Sequence, residues 1–186
     1  ATHVLNLSTA QTADVNLSNV DTDIRIELGA AMNAVAGGVR FFELGNGQTI
    51  GAEAAQTNNI SLKGSTAISG VTLDLTDAAN TGDFIFTNVG TVTVTAEANN
   101  TTATTVTVDS DAAGTQGAMA LSGSKNISLH ADSDASAVTS SGFTGNLTAT
   151  MSATMKSITS GSGDDSITMY NGAMTLDAGA GDDTLV

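Results

Sequence analysis

With 186 residues the chain is long enough for one packed core or for an elongated solenoid. Its formal charge is −14, from 19 acidic and five basic residues, which disfavours nucleic acid and anionic lipid as partners and favours divalent cations. Cysteine is absent, which excludes a disulfide framework and a Cys-based zinc site.

No run of about 18 apolar residues is available for a transmembrane helix. The opening stretch ATHVLNLST has neither a basic nor an apolar leader segment, so no secretory signal is visible. Thr and Ser make up a quarter of the chain, and β-branched residues fit a pleated surface. Small acidic domains without disulfides need another staple, and bound metal is the expected one here.

Val4 to Ser8, Val15 to Val20 and Asp23 to Leu28 alternate apolar and polar residues, the period of half-buried strands. Ala30 to Ala36 is the one stretch expected to form a short helix, stopped by Gly37 and Gly38. Val39 to Leu44 returns to strand and holds the only adjacent aromatics, Phe41 and Phe42. Gly45-Asn46-Gly47 is a turn, and Gly51 to Gln56 is expected to add a helical turn.

From Asn59 onward strands and turns alternate. The expected strands are Asn59–Leu62, Val71–Leu75, Phe84–Thr87, Thr91–Thr95, Thr105–Val108, Ala118–Leu121, Asn126–Leu129, Asn146–Met151 and Lys156–Thr159. Internal echoes favour a solenoid over a sandwich. TVTV occurs at Thr91 and at Thr105, and DSD at Asp109 and at Asp132. Asn followed by an aliphatic and then Ser or Thr opens five strands, at Asn6, Asn16, Asn59, Asn126 and Asn146. Stacked Asn side chains can hydrogen-bond along neighbouring coils. The offsets between echoes vary, so the coils are expected to be irregular in length.

The last 27 residues fall into three nine-residue units, SGSGDDSIT, MYNGAMTLD and AGAGDDTLV. Gly163, Gly172 and Gly181 share one position, and Ile167, Leu176 and Leu185 another. Asp165 and Asp183 occupy the same place in the outer units, where the middle unit has Met174. This is the nonapeptide pattern of a two-sided roll, with a Gly-rich turn followed by a short strand that points one aliphatic inward. Successive turns fall on opposite sides, so the first and third loops stack as neighbours. Each offers hard oxygen ligands of the kind calcium prefers.

On these residues the tail resembles the calcium-binding repeats-in-toxin (RTX) family. The Ser/Thr/Ala/Asn-rich body is similar to bacterial S-layer proteins that end in such repeats. Ser160 and Ala178 depart from the family pattern by replacing Gly. The fold expected is all-β, a parallel β-helix or β-roll solenoid with irregular coils that ends in an RTX calcium-binding roll. The expected layout is a β-rich region over 1–58, a solenoid body over 59–159 and the repeats over 160–186. The resemblance implies Ca²⁺ as the bound ion. Asp165 and Asp183 would supply side-chain ligands, and Gly161, Ser162, Gly163, Asp164, Gly179, Ala180, Gly181 and Asp182 would supply carbonyls.

The resemblance further implies type I secretion and a structural, non-enzymatic protein that assembles with itself into a lattice on the cell surface. Cell-surface polysaccharide is a further expected partner; nucleic acid and membrane insertion are not expected. The alternatives are a segment of a large RTX adhesin and the repeat module of a type I-secreted hydrolase. A chain that opens without Met and stops at the end of a repeat is expected to be part of a longer protein.

Other motifs have plain readings. The two DSD turns and Asp21-Thr22-Asp23 are solvated turn residues more readily than ion sites. His130 falls at an outward strand position, and no HExxH motif exists. Ser122 to Lys125 matches S-x-x-K but lacks the partner motifs that would make Ser122 a nucleophile. Seven N-x-S/T sequons are expected from composition alone, so none is assigned a function.

Overall fold

The computed structural model describes residues 3–32, 39–57, 60–75, 84–97, 104–108, 117–129 and 135–186. Among these residues the fold is all-β, with no helix. One sheet contains β1 (His3–Asn6), β3 (Ile24–Glu27), β5 (Thr49–Gly51), β7 (Val71–Asp74), β9 (Thr91–Ala96), β11 (Ala118–Gly123), β13 (Ala137–Phe143), β15 (Ser157–Thr159) and β17 (Thr175–Asp177). The other contains β2 (Val15–Asn16), β4 (Val39–Leu44), β6 (Ile60–Ile68), β8 (Phe84–Val89), β10 (Thr104–Val108), β12 (Ile127–Leu129), β14 (Leu147–Thr150), β16 (Ser166–Thr168) and β18 (Thr184–Leu185). Each strand pairs in parallel with the strand two further on, so the chain winds as a β-solenoid with one strand per sheet in each coil. The pairing is continuous from the first strands into the C-terminal repeats.

Strict alternation is what makes this solenoid. A parallel sheet covered on both faces reads as an unbroken apolar run, whereas these strands carry one apolar face and one polar face. Burial in β9 follows that alternation residue by residue. Inward residues stack in columns along the axis. Ile26, Ile50, Leu73, Val94 and Leu121 are registered neighbours in one sheet, and Phe41, Leu62 and Phe86 in the other. Phe41, Phe84 and Phe86 are wholly buried, which puts the bulkiest part of the core in the N-terminal half.

The coils differ in length as the spacing of the echoes implies. Thr91 registers with Ala118, but Ser157 registers with Thr175, and side chains in the last loops meet backbone 18 residues away. Two nonapeptides make that last coil. Part of the extra length is taken up at three register shifts, between β4 and β6, β6 and β8, and β11 and β13.

Several sequence-based expectations need correction. The helical turn over Gly51 to Gln56 does not form; its amides bond across coils instead, Ala52 N to Asp74 O (2.9 Å) and Ala54 N to Leu28 O (2.9 Å). Gln56 is buried and bridges coils, accepting from Met32 N and donating to Ala30 O and Ala54 O. Gln48, also buried, likewise plugs a corner, accepting from Gly45 N. Strand β2 covers only Val15–Asn16, because Asn16 Oδ1 accepts from Ser18 N and turns the chain. Strand β13 and short β5 had no expected counterpart. The two TVTV stretches lie in opposite sheets, so they are not stacked echoes. Of the helix expected over Ala30 to Ala36, residues Ala30–Met32 are not helical, and the rest lies outside the described residues, as do both DSD turns and His130.

On the outer face of the odd-strand sheet Arg25 lies over Gly51, where a Cβ would collide with the guanidinium. Arg25 bonds Asp74 (2.5 Å) and Glu27 (3.0 Å). Burial opposes the charge of Arg25, but the hydrogen bond and charge of Asp74, then those of Glu27, outweigh it and raise its pKa.

Candidate functional site in the C-terminal loops

The loop from Ser160 to Asp165 joins β15 to β16, and the loop from Ala178 to Asp183 joins β17 to β18. They stack on one side of the roll. The degenerate loop between β16 and β17 joins the sheets in the opposite direction, with Met169 and Tyr170 exposed. Gly179 sits over Gly161 and Gly181 over Gly163, so close that a Cβ on either upper glycine would strike the carbonyl below. Gly179 and Gly181 also take left-handed φ angles of 83° and 130°. Glycine is therefore needed here twice, for the turn and for the approach of stacked carbonyls.

Two columns of polar side chains run through this corner, and they point in opposite directions. In the first, each side chain accepts from the backbone of the next coil. Asn126 Oδ1 takes Asn146 N (3.0 Å), Asn146 Oδ1 takes Asp164 N (3.1 Å), and Asp164 Oδ1 takes Asp182 N (3.0 Å). In the second, each carboxylate reaches back. Asp165 Oδ1 takes Leu147 N (2.7 Å), and Asp183 Oδ1 takes Asp165 N (3.0 Å). Of the ten residues proposed as ligands, Asp183 thus bonds through its side chain to the backbone amide of Asp165, whose own carboxylate turns to Leu147 in the coil before, and the glycines stack in pairs.

The second column continues an apolar one. Ile127 pairs with Leu147, and Leu147 lies one residue before the registered pair Thr148–Ser166, level with Asp165. Asp165 therefore occupies an inward corner position that earlier coils fill with aliphatics. Only 1% of its surface is exposed, whereas Asp183 is half-buried and Asp164 and Asp182 are exposed.

The other buried polar side chains near this corner have partners. Ser140 Oγ donates to Thr159 O (2.7 Å), and Ser160 Oγ donates to Ala178 O. Asp165 Oδ2 is buried with no hydrogen-bond partner. Asp74 Oδ1 is also without one, but there the carboxylate has the Arg25 guanidinium beside it. Among the described residues, no ion pair reaches Asp165. A buried ionised carboxylate is costly unless a charge or donors meet it.

This chemistry fits a hard cation held mainly by carbonyl oxygens. Among the described residues no group of three or more His, Cys, Asp or Glu side chains is placed to hold a metal, so backbone oxygens would have to supply most of the ligands. The carbonyls of Ser160, Gly161 and Gly163 lie at the contact between the two loops, and those of Ser140, Phe143 and Gly145 at the contact one coil earlier.

Sequence reasoning singled out Asn126 and Asn146 as stacking asparagines but missed Asp164 and Asp182 as the continuation of their column. Their signal was present, since Gly145-Asn146 precedes Gly163-Asp164 by the same 18 residues that separate Asp164 from Asp182. The other Asn triplets do not join the column. Asn16 turns its own loop, Asn6 bonds the carboxylates of Glu27 and Glu53, and Asn59 lies outside the described residues. Asn146→Ala is expected to leave Asp164 N without its acceptor and to cost about 1 kcal/mol, read as a lower urea midpoint. An unchanged midpoint would mean that the rung carries no stability. In comparisons with known proteins, no family model, no curated protein and no solved structure matches the chain.

Proposed function

We propose that this chain is part of a secreted, calcium-binding structural protein of the bacterial cell surface, an S-layer subunit whose C-terminal coils are of the RTX type. The observation that supports this reading is the buried, unpartnered Asp165 Oδ2 in a stack of Gly-rich loops. Calcium, when bound, supplies a divalent charge that this anionic corner otherwise lacks. The chain's own residues hold the loops in stack. The Asn/Asp column ties each coil to the next, and the glycines let carbonyls approach. Without a cation, the stacked carboxylates of Asp164, Asp165, Asp182 and Asp183 repel, which favours a loosened tail during export. Outside the cell, an ion that binds only the folded roll stabilises it by mass action, by about 2.7 kcal/mol at 100 times the dissociation constant. Secretion by a type I system, self-assembly into a lattice and contact with surface polysaccharide belong to the same reading.

Calcium titration followed by circular dichroism tests the folding step. Strand signal and melting temperature are expected to rise with calcium and to fall again with chelator. A spectrum and melting curve indifferent to both would remove the proposed switch. Electron microscopy tests the assembly step, for which two-dimensional arrays that form in calcium and dissolve in chelator are expected. A protein that binds calcium yet stays monomeric at high concentration would retain the ion site and lose the lattice.

A further inference from the structure

The outer face of the even-strand sheet carries a groove of about 490 Å³ across β4, β6 and β8, flanked by Asp14. That volume lies within the roughly 300–1,000 Å³ of small-ligand sites. Its floor is built by the bulge in β4. Phe41 and Leu44 both point inward and are wholly buried, and the register slips between them. The two intervening residues bow outward, so that Phe42 and Glu43 line the groove. Glu43 has φ 64°, a left-handed conformation that an ordinary side chain adopts only when its surroundings hold it there, and such strain gathers at binding sites.

The groove is also unusual in charge for a chain at −14. It holds two of the five basic residues, Arg40 and Lys63, against two carboxylates, Asp14 and Glu43. Arg40 and Asp14 form an exposed two-pronged pair, Nε to Oδ1 at 3.0 Å and Nη2 to Oδ2 at 2.7 Å. The formal sum is zero, so the field selects neither an anion nor a cation. What remains is an aromatic ring beside charged donors and acceptors, with the hydroxyls of Ser61 and Thr87 on the neighbouring strands.

We propose that this groove binds a neutral oligosaccharide segment. A pyranose has an apolar C–H face that packs on Phe42 and a rim of hydroxyls. Each hydroxyl can donate to Asp14 or Glu43 while accepting from Arg40 or Lys63. A charged ligand would leave half of these groups opposed by like charge. The groove shares no residue with the C-terminal loops, so its test is independent of the calcium reading.

The test titrates the 186-residue chain with short cello-, malto- and chito-oligosaccharides and follows backbone amide shifts by NMR. At least one series is expected to give saturable shifts at Ser61, Lys63 and Thr87. Phe42→Ala is expected to weaken that binding by about tenfold or more. Because glycine accepts the left-handed φ at position 43, Glu43→Gly keeps the fold and is expected to weaken binding as well, which guards against simple unfolding as the cause. Three results would overturn the proposal. They are no saturable shift with any series, binding that both variants leave intact, and a response confined to an acidic polysaccharide such as polygalacturonate that Lys63→Ala abolishes.

Discussion

Asp165→Asn is expected to erase the calcium-dependent part of stability while leaving the calcium-free protein as stable as before, or more so. The amide keeps an oxygen for Leu147 N, whose 2.7 Å bond to Asp165 Oδ1 closes the corner of the coil. It removes the charge that lies buried with no cation beside it. In chelator the substitution therefore relieves an electrostatic cost. With the proposed calcium site, the wild-type protein is expected to gain about 2.7 kcal/mol at 100 times its dissociation constant, and the variant to forfeit that gain. Asp165→Ala separates the two roles, because it also strands the Leu147 amide, at a further cost of about 1–3 kcal/mol in either condition. Melting curves of the three proteins with calcium and with chelator decide the matter. A calcium-induced rise that survives in Asp165→Asn would show that the ion is held elsewhere.

Phe84→Ala is expected to have the largest effect on the body of the solenoid, about 3–5 kcal/mol. Phe84 is wholly buried and registered on Ile60, with Phe86 in the same strand registered on Leu62. A cavity there cannot be closed by a rigid-body shift, because the coils above and below are fixed by backbone pairing on both sheets. In a stacked fold each coil contacts only its neighbours, so the damage is also expected to be local and to break cooperativity. Urea unfolding should then show two transitions, an early one reported by amides of β4, β6 and β8 and a later one reported by the C-terminal coils. A single coincident transition at the wild-type midpoint would contradict this account.

The two predictions probe opposite ends of one design. Through the N-terminal half, coils are held by large inward side chains, and irregular corners are plugged by Gln48 and Gln56 with their amides paired. In the last coils the phenylalanines give way to aliphatics and the corner turns polar. There the aliphatic column of Ile127 and Leu147 gives way to Asp165 and Asp183. Each of the short strands β15 and β16 buries a single aliphatic, Ile158 and Ile167. On the proposed reading, an ion joining the loops would add the stability that a single inward aliphatic per strand does not supply.

The sequence by itself determined which residues point inward and how the last coil repeats. Alternation is a local property of a strand, so the inward places of Ile26, Val92, Val94 and Ile167 follow from their neighbours alone. The nonapeptide spacing likewise required Gly161 and Gly163 to stack under Gly179 and Gly181, since equal repeats close equal coils. Only the tertiary structure decided what meets what at the corners. Coil length changes along the chain, so a side chain such as Gln56 meets a backbone amide 24 residues away that no local pattern specifies. The segment from Gly51 to Gln56 shows the same limit: its composition suits a helix, but parallel neighbours on either side offered its amides better partners across the coil. The parallel register likewise put Asp165, one of several acidic residues in a Gly-rich tail, in the core with an unmet oxygen.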